Sequence, residues 1–160
     1  MCGITGVYAF NNSALSFKNK IEKALVKLYK RGPESSGTFF YNQVGLGHTR
    51  LAIIDLSESG VQPFTDLSER FTIVFNGEFF NYKEHRNDLL KKGIRFKSES
   101  DTEVLLNLYL TEGPPCLQKV NGFFSIAIYD KQEETLFIAR DRMGVKPLFI
   151  YQDNDKFIFA

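Results

Sequence analysis

Tryptophan is absent from the 160 residues, and cysteine, histidine and methionine occur only twice each. Two cysteines, Cys2 and Cys116, cannot build a disulfide framework. His48 and His85 lie far apart, so no Cys/His cluster has metal-ligand spacing and no metal site is expected. Neither sign of charge prevails: 20 Lys and Arg against 19 Asp and Glu leave +1. That balance supplies no field to steer nucleic acid or an anionic membrane, and neither is expected as a partner. Long hydrophobic runs are missing too. The longest, Phe123 to Tyr129, falls far short of the ~20 residues that cross a bilayer. The start, Met-Cys-Gly-Ile-Thr-Gly, has neither the basic nor the apolar region of a secretory signal. There is no G-x-G-x-x-G, no P-loop, no repeat and no low-complexity tract. These absences lead us to expect a cytoplasmic chain with reduced thiols.

What is present describes a packed domain. Hydrophobic residues make up 43% of the chain, with 16 Phe and 7 Tyr. A chain of this length buries roughly 70% of its unfolded surface without disulfide or metal, and one domain over residues 1–160 is expected. Ile4 to Phe10 reads as a strand. Phe17, Ile21, Ala24, Leu25 and Leu28 share a helical face, with Ser16 as N-cap, and Arg31-Gly32-Pro33 closes that helix. Thr38 to Tyr41 and Val44 to Ile54 form a hairpin turning at Asn42-Gln43, before a polar loop from Ser57 to Thr65. Phe71 to Asn76 is a strand stopping at Gly77. Tyr82 to Lys92 is a helix stopped by Gly93. Ser100 to Glu103 has the S-x-x-E form of a capping box ahead of a helix to about Glu112. Phe123 to Tyr129 and Thr135 to Arg140 form a second hairpin, and short strands near Leu148 to Tyr151 and Phe157 to Phe159 follow. The last runs to Ala160 without cap or turn, as expected of an excised N-terminal domain. Many strands with clustered helices predict an α+β fold with sheets buried on both faces, not a doubly wound parallel sheet.

Cys2 is the residue with most chemistry to offer. It reads on one hand as a small hydrophobe opening a strand. On the other, removal of Met1 before a small residue leaves a thiol and an α-amine on one residue. An α-amine titrates at about 7.7 to 8.0, suited to a general base near neutrality, and a nucleophile served by its own amine is an established activation route. Gly3 and Gly6 keep the surroundings uncrowded. Cys116, in Pro114-Pro115-Cys116-Leu117, reads as structural, and neither histidine carries a motif. Asn76-Gly77 alone reads as an ordinary turn, Arg50 as a surface strand residue, and Asp101 as a first-turn carboxylate favoured by the helix dipole.

Six segments together carry a resemblance: Met1 to Gly6, Arg31-Gly32-Pro33-Glu34, Gly47-His48-Thr49-Arg50-Leu51-Ala52-Ile53, Asn76-Gly77-Glu78, Ser100 to Glu103, and Ala139 to Leu148. In this order they resemble the glutaminase domain of class II glutamine amidotransferases, in the asparagine synthetase branch. The resemblance implies an N-terminal-nucleophile hydrolase fold, a four-layer αββα sandwich of two mostly antiparallel sheets. It also implies hydrolysis of L-glutamine to glutamate and ammonia. The ammonia would pass to a C-terminal synthetase domain of a longer chain that amidates an ATP-activated carboxylate. No cofactor is expected on this domain; ATP and Mg belong to the synthetase half.

The roles implied fall on Cys2 as nucleophile and on the Asn76 side chain with the Gly77 N–H as oxyanion donors. Arg50 would hold the glutamine carboxylate with its planar fork. Asp101, helped by Glu78, would take the ammonium, and the backbone around Ile53 and Ile54 would wall the slot. Gly60-Val61-Gln62-Pro63 resembles a mobile loop and so a lid. Three features depart from the usual pattern: Lys30 replaces His, Glu34 replaces Asp, and Phe79-Phe80 replaces the usual aromatic context after Asn-Gly-Glu. They bear on the acceptor, for which sugar acids are alternatives to aspartate. A silent scaffold that docks a synthetase is the competing expectation, and a homodimer is left open.

Overall fold

The computed structural model describes residues 2–160, and Met1 lies outside the described residues. Nine strands and three α-helices are found there. Strand β1 (Gly3–Ala9) pairs antiparallel with β3 (Val44–Arg50), which pairs with β2 (Ser35–Tyr41). On the other side β1 takes β9 (Lys156–Phe159), and β9 takes β8 (Ile150–Gln152). The second sheet runs β4 (Phe64–Thr65), β5 (Phe71–Phe79), β6 (Gly122–Asp130) and β7 (Thr135–Arg140), again antiparallel throughout.

Side-chain alternation builds the layers. In β5 and β6, Ile73, Phe75, Ile126 and Ile128 turn toward helices α2 (Tyr82–Lys91) and α3 (Asp101–Glu112), meeting Leu89, Leu105 and Leu106. Their neighbours Val74, Ala127 and Tyr129 turn the other way and pack on Ile4, Val44 and Leu46 of the first sheet. The outer face of that sheet receives α1 (Lys18–Leu28) through Ile21 and Leu25. The β3 positions beneath it are glycines for that reason: a Cβ on Gly47 would lie 3.0 Å from Ile21 Cγ2. The order is helix, sheet, sheet, helices, which is the sandwich expected. It also explains why β3 and most of β6 are buried along their length.

Several boundaries differ from expectation. The helical cap is Ser13, not Ser16: Ser13 Oγ accepts from Leu15 N at 3.3 Å and opens a 3-10 turn that buries Ala14 ahead of α1. Strand β3 ends at Arg50 instead of Ile54, because Leu51 to Ile54 leave the sheet. Strand β5 does not stop at Gly77. It runs on to Phe79 because β6 continues opposite it, with Asn76 facing Ser125 and Gly77 facing Phe124. Asn76-Gly77 is therefore strand and not turn. The capping box is half made: Ser100 Oγ accepts from Glu103 N at 3.2 Å. The Glu103 carboxylate reaches instead to Lys97 N and Ser98 N, at 2.8 and 2.7 Å.

Candidate active site

Strand β5 outlasts its partner β4, and the site begins where β4 ends. Phe64 pairs with Ile73, so counting back along the register sets Gln62 opposite Phe75, beyond the paired strand. In an antiparallel ladder, alternate residues present their N–H and C=O to opposite sides. Phe80 N donates toward the β6 side, to Asn121 O at 2.8 Å; the odd-numbered residues of β5 therefore face the open edge. Side chains serve that edge. Phe75 N donates to Gln62 Oε1 at 2.6 Å, and Phe79 N donates to Asp101 Oδ2 at 3.1 Å. Phe75 O accepts from His48 Nε2 at 3.3 Å. By the same alternation, the N–H of Gly77, midway between them, points out of the edge into a cavity. Only glycine fits at 77, since a Cβ would stand 2.3 Å from Phe123 O on β6.

The cavity has a volume of about 160 Å³, smaller than the roughly 300–1,000 Å³ of drug-sized ligand sites. It suits a molecule the size of an amino acid. All eight residues singled out in the sequence line it: Cys2, Arg50, Ile53, Ile54, Asn76, Gly77, Glu78 and Asp101. Cys2 reaches it from the start of β1, and Asn76 and Gly77 from the opposite sheet. Cys2 Sγ accepts from Leu51 N at 3.5 Å, and Arg31 Nε holds the Cys2 carbonyl at 3.0 Å. Burial pushes the Cys2 thiol above its ordinary pKa, against the opposing pull of the Leu51 N–H and the Arg50 charge. The resting group is therefore a thiol at neutral pH.

The wall from Leu51 to Asp55 is fixed at both ends. Ala52 N donates to Glu34 Oε2 at 2.7 Å, giving the Glu-for-Asp departure at 34 a structural task. Asp55 Oδ2 accepts from Glu99 N at 2.9 Å. Arg50 is buried; Nη1 donates to Ser57 O at 2.8 Å and Nη2 to Asp55 O. Its guanidinium thus organises the loop while lining the cavity. Gln62 is 5% exposed and tied down, so the lid expected at Gly60 to Pro63 is anchored at that point. The exposed large hydrophobic side chains of this loop are Ile53 and Leu56.

Asp101 opens α3 and is buried. Burial, with the nearby Glu78 charge, pushes its carboxyl up to about 6, although the Phe79 and Thr102 N–H groups pull the other way. Asn76 is 3% exposed, and its Oδ1 has no partner among the described residues. An orphaned buried carbonyl oxygen on a cavity wall is suited to a ligand that donates a hydrogen bond. His48, by contrast, is a buried neutral base. Burial takes it down to about 4, and its bond to a carbonyl makes Nε2 the protonated nitrogen. No role for His48 was read from the sequence. Gln62, expected only as part of the lid loop, lines the cavity as well, with Thr102, Phe123 and Lys146; Thr102 and Lys146 lie within segments that carry the resemblance, but nothing in their type marks them. Cys116 is fully buried, as a structural residue should be. Among the described residues no three His, Cys, Asp or Glu side chains group to hold a metal ion, and no helix is long and apolar enough to cross a membrane.

A family model described as a glutamine amidotransferase domain matches residues 1–160. Glutamine-hydrolysing asparagine synthetase 3 of Bacillus subtilis is 39% identical over 162 residues, covering 100% of this chain and 26% of that protein. A putative asparagine synthetase 2 of Methanocaldococcus jannaschii is also 39% identical, across 100% of this chain and 34% of its own length. Asparagine synthetase B of Escherichia coli is 32% identical over 96% of this chain and 27% of its own. The chain thus spans about a quarter to a third of the length of these relatives. Among solved structures, glutamine phosphoribosylpyrophosphate amidotransferase from B. subtilis, complexed with ADP and GMP, superposes with a TM-score of 0.78 at 21% identity. It covers 99% of this chain and 41% of that one. The sandwich is accordingly the N-terminal-nucleophile amidotransferase fold.

Proposed function

The chain belongs to the glutamine amidotransferase domain family, and on that premise we propose that it hydrolyses L-glutamine through a thioester on Cys2 and delivers the ammonia to a synthetase domain. One observation carries the reading: the Cys2 thiol, the outward N–H of Gly77 and the Asn76 carboxamide meet in one cavity of amino-acid size, although they come from different sheets. With Met1 removed, the α-amine of Cys2 takes the thiol proton as Sγ attacks the side-chain amide carbon. The oxyanion is met by the Gly77 N–H and the Asn76 amide, donors worth about 2.7 to 4 kcal/mol each in comparable holes. The amine returns the proton to the departing nitrogen, ammonia leaves, and the thioester remains. Water, deprotonated by the same amine, cleaves it to glutamate and restores the thiol. Arg50 pairs with the substrate carboxylate, and Asp101 with Glu78 receives the ammonium. The acceptor amidated downstream is a carboxylate activated by ATP and Mg on the synthetase domain.

The test is glutamate release from glutamine by protein whose intact mass begins at Cys2. Release is expected in the wild type and absent in Cys2→Ala with an unchanged circular dichroism spectrum. Equal release by the two proteins, or none by the wild type alone and in a chain that carries its synthetase domain, overturns the proposal.

A further inference from the structure

Gln62 uses both ends of its carboxamide, and the two partners belong to opposite sides of the cavity. Oε1 accepts from Phe75 N at 2.6 Å, and Nε2 donates to Thr102 Oγ1 at 3.1 Å. Phe75 immediately precedes Asn76, and Thr102 immediately follows Asp101. Gln62, Phe75, Asn76, Asp101 and Thr102 are all buried to 6% exposure or less, so these bonds are shielded from water and costly to leave unmade. No strand is available to serve Phe75 at this point of the β5 edge; the Gln62 side chain takes that place. The other face of the same residue is secured from the first sheet, where His48 Nε2 donates to Phe75 O at 3.3 Å.

We infer that Gln62 is a positioning residue of this site: its carboxamide, alongside the direct bond from Phe79 N to Asp101 Oδ2, ties the oxyanion-binding stretch of β5 to the ammonium-binding end of α3. The inference rests on the glutaminase reading of Asn76, Gly77 and Asp101 and adds a residue that acts through them. Its two bonds separate by kinetics. The bond to Phe75 governs donors that matter when charge develops on the carbonyl oxygen, so its loss lowers kcat. The bond to Thr102 governs the seat of the ammonium, which binds ground and transition states alike, so its loss raises KM.

Gln62→Met removes both bonds at similar volume, and Thr102→Val removes one. Glutamate release is measured at a temperature well below both melting transitions. Thr102→Val is expected to raise KM about threefold to tenfold with kcat within twofold of wild type. Gln62→Met is expected to lower kcat at least tenfold as well, and the double variant to be no worse than Gln62→Met, because the bonds share one side chain. A purely structural clamp would lower the melting temperature and leave both constants unmoved in the folded protein; that result overturns the inference while the glutaminase reading stands. Additive losses in the double variant also overturn it. A wild type without glutaminase activity overturns both at once.

Discussion

At the scale of the residue, the pH dependence of the site follows from two groups of opposite task. The Cys2 thiol is held protonated by burial, so its attack needs a neutral amine, and the rate falls as pH drops through the amine value of about 7.7 to 8.0. Asp101, raised to about 6 by burial, must be ionised to hold an ammonium. Above that pH the carboxylate is present; below it the acid is neutral and KM climbs. The expected log kcat/KM therefore rises with slope one between about pH 6 and 7.7 and with slope two below 6, where both protons must be lost. A profile from pH 5 to 9 reads this directly, and a slope of one down to pH 5 removes Asp101 from binding. Asp101→Asn is expected to abolish the steeper limb. These residues were legible because each has a side-chain type matched to a step: a thiol beside an amine, an amide, a carboxylate. His48 and Gln62 were not. Their work is done on the backbone of another strand, and nothing local to a histidine or glutamine in sequence says which peptide group it will meet.

At the scale of the element, α3 presents Asp101 from its first turn, and its terminus is held by Ser100 Oγ on Glu103 N. Ser100→Ala is expected to cost about 1 kcal/mol, as loss of a cap usually does. That corresponds to a fall in melting temperature of about 2–4 °C for a chain of this size. The bond from Gln62 to Thr102 still holds the helix laterally, so KM is expected to rise only about twofold. Calorimetry beside steady-state kinetics checks both, and an unchanged melting temperature contradicts the capping role. The helices and long strands were readable from periodicity because each buries one face or both. What failed to read were ends decided by neighbours elsewhere. Strand β5 passes Gly77 because β6 lies opposite, its paired residues 43 or more positions later in the chain. Strand β3 ends at Arg50 because its next residues wall a cavity, and β4, two residues long, hid inside a polar loop.

At the scale of the molecule, the reacting groups straddle the sandwich. Cys2 leads into β1 of one sheet, and Asn76 and Gly77 belong to β5 of the other. The spacing of facing sheets, about 10 Å, is set by the side chains between them, here Ile4, Val44, Leu46, Val74, Ala127 and Tyr129. That layer fixes the distance from nucleophile to oxyanion donors, whereas the layer between β5–β6 and the helices does not. Two core substitutions separate these roles. Leu106→Ala, in the helix-facing layer, is expected to lose about 2–5 kcal/mol of stability through transfer and cavity terms, with kcat unchanged in the folded protein. Ala127→Leu, in the inter-sheet layer where Ala127 is fully buried, overpacks at a cost of about 1–3 kcal/mol. Yet it pushes the sheets apart, and a displacement near 1 Å is worth about 100-fold in a site that depends on alignment. The less destabilising substitution is therefore expected to be the more damaging to catalysis. Denaturation midpoints and kcat, measured on both variants under the same conditions, test this ordering. If kcat instead follows stability, the sheet spacing is not what aligns Cys2 with Asn76 and Gly77.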